Sequence, residues 1–156
     1  MTNRVQHLTI PTVALRDRAL AGLDHGDSYA LWRDAFPVLD EIQVGHGRNQ
    51  PPLVDHLTVG AWNLERGACW EAAAERVLAE NLDVLLASEM DCGMSRSAQS
   101  HTTQALANAL GWHWVYGIEF IELGTGSPWE QNQPEADATN DCGLPRGAFC
   151  WSPECT

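Results

Sequence analysis

Leu57-Thr58-Val59-Gly60-Ala61-Trp62-Asn63-Leu64-Glu65-Arg66-Gly67 and, one segment later, Asp83-Val84-Leu85-Leu86-Ala87-Ser88-Glu89-Met90-Asp91 decide the fold. In the first stretch an apolar run from Leu57 to Trp62 gives way to polar residues. Trp70, Ala73, Ala74, Val77 and Leu78 then keep helical spacing up to Glu80, and Asn81 is a natural stop. The second stretch is short, apolar and ends in acidic residues, as a buried strand reaching a sheet edge does. A helix over 68–80 therefore links two strands. Further on, Ala105, Leu106, Ala109 and Leu110 predict a helix from about 100 to 110 with Gly111 as its stop, followed by a strand from Trp112 to Phe120. The central unit reads β-α-β-α-β.

Outward from this unit the pattern weakens. Residues 1–55 read as a helical N-terminal extension. Leu15, Ala19 and Leu23 recur at helical spacing, and a second segment gathers Leu31, Trp32, Ala35 and Phe36 before Pro37 interrupts it. Gly45-His46-Gly47 and Pro51-Pro52 read as a linker. Residues 122–143 are rich in Gly, Pro, Asn, Asp and Gln and read as a long loop, a kind usually functional or disordered. Residues 144–156 carry two prolines and two cysteines without periodicity and read as an unstructured tail.

The 156 residues suit one domain or part of a larger one, and a 44% hydrophobic content allows a buried core. Acidic residues outnumber basic ones 21 to 9, the net charge is -12, and every basic residue is arginine. Such a surface repels polyphosphate unless a cation intervenes, so duplex nucleic acid is disfavoured as a partner while a divalent metal or a small anionic substrate is favoured. The five cysteines (Cys69, Cys92, Cys142, Cys150 and Cys155) cannot all pair and show no C-x-x-C spacing, so reduced thiols are the simplest reading. With no basic, apolar leader at the N-terminus and no apolar run long enough for a membrane span, the expectation is a cytoplasmic protein without a membrane partner.

Strand–helix–strand units are parallel and right-handed in nearly all cases, so the strands ending at Trp62 and Ser88 should finish at one sheet edge. That edge gathers Asn63, Glu65, Glu89 and Asp91. Neighbouring strands lie about 4.8 Å apart, close enough for a carboxylate from one and an amide or carboxylate from the other to share a cation. Magnesium suits such a place, since it takes one or two carboxylates, keeps several waters and binds substrate phosphate. Each residue also has a plainer use. Asn63 can shape the turn, Glu65 can complement the N-terminus of helix 68–80, and Asp91 can cap a helix. His101 at a helix start and His113 within a strand read as structural or solvated, and Gly124-Thr125-Gly126 is too short for a phosphate-binding fingerprint.

The two stretches quoted first, in their order and spacing, resemble the first two motifs of the endonuclease/exonuclease/phosphatase superfamily. Gly93 to Ser97, His101 to Leu110 and Tyr116 to Leu123 resemble a bacterial branch of it, so the likeness spans about residues 57–123. The resemblance implies an α+β fold, part of a four-layer α/β/β/α sandwich with mixed sheets, of which 56–143 would be the N-terminal half. It implies that Asn63 is a catalytic residue that contacts the active-site phosphate or orients its ligands, that Glu89 is a metal ligand with Glu65 as an acidic residue at the same metal, and that Mg2+ or Mn2+ is the cofactor. The substrate would be a phosphate ester. The family's later motifs, Gly-Asp-x-Asn and Ser-Asp-His, do not occur in these residues, so a fragment with little turnover of its own is expected. The alternative is a non-catalytic fragment or interaction module with at most a weak cation site.

Overall fold

The computed structural model describes residues 2–26, 29–48, 55–132, 139–144 and 146–151. In chain order the elements are strand β1 (Asn3–Val5), helices α1 (Val13–Asp24) and α2 (Tyr29–Arg33), strands β2 (Glu41–Gly45) and β3 (Val59–Arg66), helix α3 (Trp70–Ala79), strand β4 (Val84–Met90), helix α4 (Thr102–Leu110), strand β5 (His113–Gly117), a one-turn helix α5 (Pro128–Gln131) and strand β6 (Arg146–Trp151). Short 3-10 turns occupy Pro37–Asp40 and Ser95–Ser97.

The helices begin and end where local chemistry directs. Thr12 starts α1 by accepting the Leu15 N–H on its hydroxyl at 3.2 Å. Asn81, in the left-handed region at φ 50°, follows α3, and Gly111 at φ 72° closes α4. One side of α3 buries Ala73, Ala74 and Val77, and one side of α4 buries Leu106 and Ala107. These meet the sheet side on which Leu85, Cys150 and Trp114 stand in register across β4, β6 and β5. Helix α4 lies against β5 and β6, and α3 against α4.

Among the described residues the strands form one six-stranded mixed sheet in the order β1-β2-β5-β6-β4-β3. Strands β3 and β4 are parallel neighbours, with Val59 opposite Val84 and Asn63 opposite Ser88. Strand β6 is antiparallel to both β4 and β5, so β3, β4 and β5 all run the same way. The β-α-β-α-β unit is therefore present in an α+β fold, with β6 inserted between its last two strands. The second sheet of a four-layer sandwich is not built by the described residues.

Two expectations need correction. The first 55 residues are more than a helical extension: α1 and α2 are there, but β1 pairs with β2 and β2 with β5, extending the sheet by two strands. The register of β2 explains this, since Gly45 lies opposite Trp114, whose indole occupies the space a Cβ at Gly45 would need. The second correction concerns the tail. Residues Arg146–Trp151, expected to be unstructured, form a strand with a hydrogen-bonded neighbour on each side. Its sequence shows no period-two alternation, so nothing local marks it as a strand. Residues 152–156, and the linker prolines Pro51 and Pro52, lie outside the described residues. The expected strand from Trp112 to Phe120 is limited to His113–Gly117, and the 122–143 loop contains α5.

Candidate functional site

The carboxyl ends of β3 and β4 are both irregular at the same level. Asn63 still pairs with Ser88, but the next pairing is Arg66 with Met90, so Leu64 and Glu65 on one strand face Glu89 alone on the other. Such a bulge turns side chains away from their regular alternation. Glu65 (φ 44°), Arg66 (φ 69°) and Glu89 (φ 55°) all take left-handed backbone conformations, which non-glycine residues adopt at a cost and which concentrate at functional sites.

The bulge brings Asn63 and Glu89 together. The Asn63 amide donates to Glu89 Oε1 at 2.7 Å, while its own oxygen accepts the Glu65 N–H at 3.0 Å. Asn63 thus shapes the turn and holds the carboxylate at once. Arg66 Nη1 lies 3.5 Å from Glu89 Oε2. Both side chains are more than a third exposed, so this ion pair contributes little to stability and leaves the carboxylate open to solvent. The Glu65 residue is exposed. Its backbone, rather than its carboxylate, is what the structure ties to Asn63. Sequence reasoning did not single out Arg66, whose position follows from the bulge and not from strand alternation.

A cleft of about 820 Å³ adjoins this edge, lined among others by Asn63, Glu65, Trp70 at the start of α3, Arg96 and Trp129. Glu89 does not line it, so the cleft and the Glu89 carboxylate meet at Asn63. The Glu89 carboxylate suits a hard divalent cation in kind, but donors are few, because the Asn63 amide turns its nitrogen to Glu89 and its oxygen to the Glu65 N–H. Among the described residues no three His, Cys, Asp or Glu side chains gather closely enough to hold a metal ion. Magnesium can be held by a single carboxylate when waters and a substrate phosphate complete its sphere. The fit is to that open kind of site.

Asp91, read from the sequence as a cap, does something else. It is fully buried, and its carboxylate takes two hydrogen bonds from the Arg96 guanidinium, both 2.9 Å. Arg96 also donates to Glu122 Oε1 at 2.9 Å. The Asp91 backbone is clasped by Thr102, whose hydroxyl accepts the Asp91 N–H at 3.0 Å while its own N–H donates to the Asp91 carbonyl at 2.9 Å. Beneath this, the Tyr116 hydroxyl lies between the carbonyls of Met90 and Leu144, which share its one proton. The edge that carries Glu89 is therefore anchored from below. His101 caps α4, and His113 Nδ1 accepts the Gly47 N–H at 3.0 Å, both in structural roles.

The turn from β3 into α3 depends on Gly67, which is buried at φ 68°, where a Cβ would come within 2.5 Å of Thr102 Oγ1 and 2.6 Å of Thr102 Cβ. Gly111 is also left-handed but has open space around it. Gly111→Ala should lose only the backbone cost of about 1–2 kcal/mol. Gly67→Ala should lose clearly more, read as a lower urea midpoint. Equal losses would mean that Thr102 yields without resistance.

Among the described residues no helix is long and apolar enough to cross a membrane. No family model, curated protein or solved structure matches this chain.

Proposed function

We propose that this chain carries the metal-binding side of a divalent-metal-dependent phosphoesterase site. The observation that carries the reading is the Asn63–Glu89 hydrogen bond at the carboxyl edge of two adjacent parallel strands, with Glu89 held in a left-handed bulge. A carboxylate oriented by a neighbouring amide, half-exposed and beside a cleft, is suited to a hard cation shared with a phosphate. Glu89 would hold Mg2+ or Mn2+, and Asn63 would fix the carboxylate and meet the phosphate. Glu65 lines the cleft and is exposed, and it would contribute to the metal through water. Bound there, the metal would supply Lewis-acid polarisation of a phosphoryl oxygen. Arg66 adds positive charge where a chain of net charge -12 otherwise repels phosphate. The substrate would be a phosphate ester of modest size, and the free thiols of Cys69, Cys92, Cys142 and Cys150 support a reducing compartment such as the cytoplasm.

The family's later base and phosphate-contacting motifs do not occur in these residues. Positioning and electrostatic stabilisation act together, so turnover by this chain should be far below that of an intact relative. The test is binding. Mn2+ titrated calorimetrically into the parent should give a weak, saturable isotherm. Glu89→Gln, which keeps shape but removes charge, should abolish it, whereas Glu75→Gln on the exposed side of α3 should leave it intact. Asn63→Ala should weaken it less than Glu89→Gln. Equal loss from the two Glu→Gln changes would mean diffuse attraction and would leave the non-catalytic module as the better reading.

A further inference from the structure

Just beyond β4 the chain runs beside Asp141–Leu144. Cys92 and Leu144 exchange both backbone hydrogen bonds, at 3.2 and 3.3 Å, and the Cys142 N–H donates to the Gly93 carbonyl at 3.0 Å. Gly93 has φ 62°, and a Cβ there would run into the Cys142 side chain. The Cys142 side chain therefore lies over the backbone step that leaves Cys92. Both thiols are free, and the backbone pairing brings the Cys142 side chain up against the residue that follows Cys92.

The two are unequal. Cys92 is 7% exposed, whereas Cys142 is only partly buried. The buried Arg16 reaches the residue next to Cys142, donating from Nη2 to the Asp141 carbonyl at 3.2 Å. The hydrogen bond from Cys92 and the Arg16 charge hold the Cys142 thiol below the usual range, against burial and the Asp141 carboxylate. The same hydrogen bond, together with burial, pushes Cys92 far up. A partly exposed thiol beside a cation is the setting in which reactive cysteines are found, and a buried neighbour within reach is what a resolving cysteine requires.

We propose that Cys92 and Cys142 form a thiol–disulfide exchange site whose oxidant is a low-molecular-weight disulfide of the glutathione type, with Cys142 as the attacking thiol and Cys92 as the resolving one. Cys142 thiolate attacks one sulfur of the small disulfide, forms a mixed disulfide and releases one small thiolate. Cys92 then attacks the Cys142 sulfur, its proton passing to the second small thiolate as that leaves. The balance is one protein dithiol oxidised to a disulfide and one small disulfide reduced to two thiols. The product ties the chain three residues beyond Glu89 to the end of the 122–143 loop. Cytosolic disulfides of this kind are usually transient and redox-sensing. The site stands on its own residues, whether or not Glu89 binds a metal.

The intact reduced chain, treated with oxidised glutathione and digested without reduction, should yield a peptide pair joined through Cys92 and Cys142. In Cys92→Ala, glutathione should remain attached to Cys142; in Cys142→Ala, Cys92 should stay unmodified. A second measurement needs no variant. A brief pulse of limiting iodoacetamide on the native parent should label Cys142 ahead of Cys69, although Cys69 is exposed. Glutathione carried only on Cys69, a disulfide joining any other pair, or faster labelling of Cys69 than of Cys142 would overturn the proposal.

Discussion

Arg96→Met should lower the folding free energy by about 3–5 kcal/mol, because it strands the Asp91 carboxylate without a counter-charge at a position with no solvent exposure. Domains of this size are typically stable by roughly 5–15 kcal/mol, so such a loss leaves little of the native state. Burial pushes the Asp91 carboxyl upward, and the two hydrogen bonds from Arg96 pull against that. Burial outweighs that pull, so the pair adds little as a unit and is costly chiefly when broken. The double variant Arg96→Met with Asp91→Asn should recover most of the loss, since the fully buried charge is gone and only the partly exposed Glu122 carboxylate loses its Arg96 contact. Urea unfolding at low protein concentration measures both. A single Arg96→Met within about 1 kcal/mol of the parent would show that water reaches Asp91 in the native state.

Acid should weaken the fold through His101. Its ring stands edge-on to Trp114 and Tyr116, with centroids 5.0 and 4.7 Å away, and Nε2 is 3.2 Å from Gln43 Oε1. Burial pushes its pKa down from 6.5 to about 4. As pH falls below about 6.5 the unfolded chain binds a proton that the folded chain refuses, so stability is lost until about pH 4, where both states are protonated. At about 1.36 kcal/mol per pH unit, the interval amounts to roughly 3 kcal/mol. Asp91, raised by burial, contributes in the opposite sense, and Asp40, lowered chiefly by its hydrogen bond from Arg33, acts below this window. A comparison with His101→Asn isolates the histidine, because asparagine retains a capping oxygen for α4. Between about pH 7 and pH 4 the parent should lose roughly 3 kcal/mol more than His101→Asn. Parallel stability curves would mean that the ring is charged in the folded state.

The sequence disclosed what strong local signals could carry. Helical spacing from Trp70 to Leu78 and the apolar run from Val84 to Ala87 located α3 and β4 within two residues, whereas β3 runs four residues past its expected end at Trp62, and the parallel pairing of β3 with β4 followed from chain connectivity alone. The meeting of Asn63 with Glu89 was legible for the same reason. Strand β2 went unread because Glu41-Ile42-Gln43-Val44-Gly45 is only five residues long and sits beside turn formers. Strand β6 went unread because Arg146-Gly147-Ala148-Phe149-Cys150-Trp151 alternates nothing, and its place depends on β4 and β5, more than 30 residues away. Arg96 was invisible as a partner of Asp91, since nothing in five residues of spacing announces that the intervening Cys92–Ser95 turn folds the guanidinium back beneath the edge.

The slot occupied by β6 has a consequence for how the nascent chain acquires its shape. Until residues 146–151 leave the ribosome, β1-β2-β5 and β4-β3 are two separate ribbons, and the facing edges of β4 and β5 lack the strand that joins them. Both edges then offer unpaired backbone groups to any other extended segment nearby. Joining them requires pairings between residues such as Leu86 and Phe149, far apart along the chain, which slows folding because the closure entropy must be met before the contacts form. During synthesis this protein should therefore be a client for chaperones that shield strand edges, and it should cease to be one only when its last described strand docks.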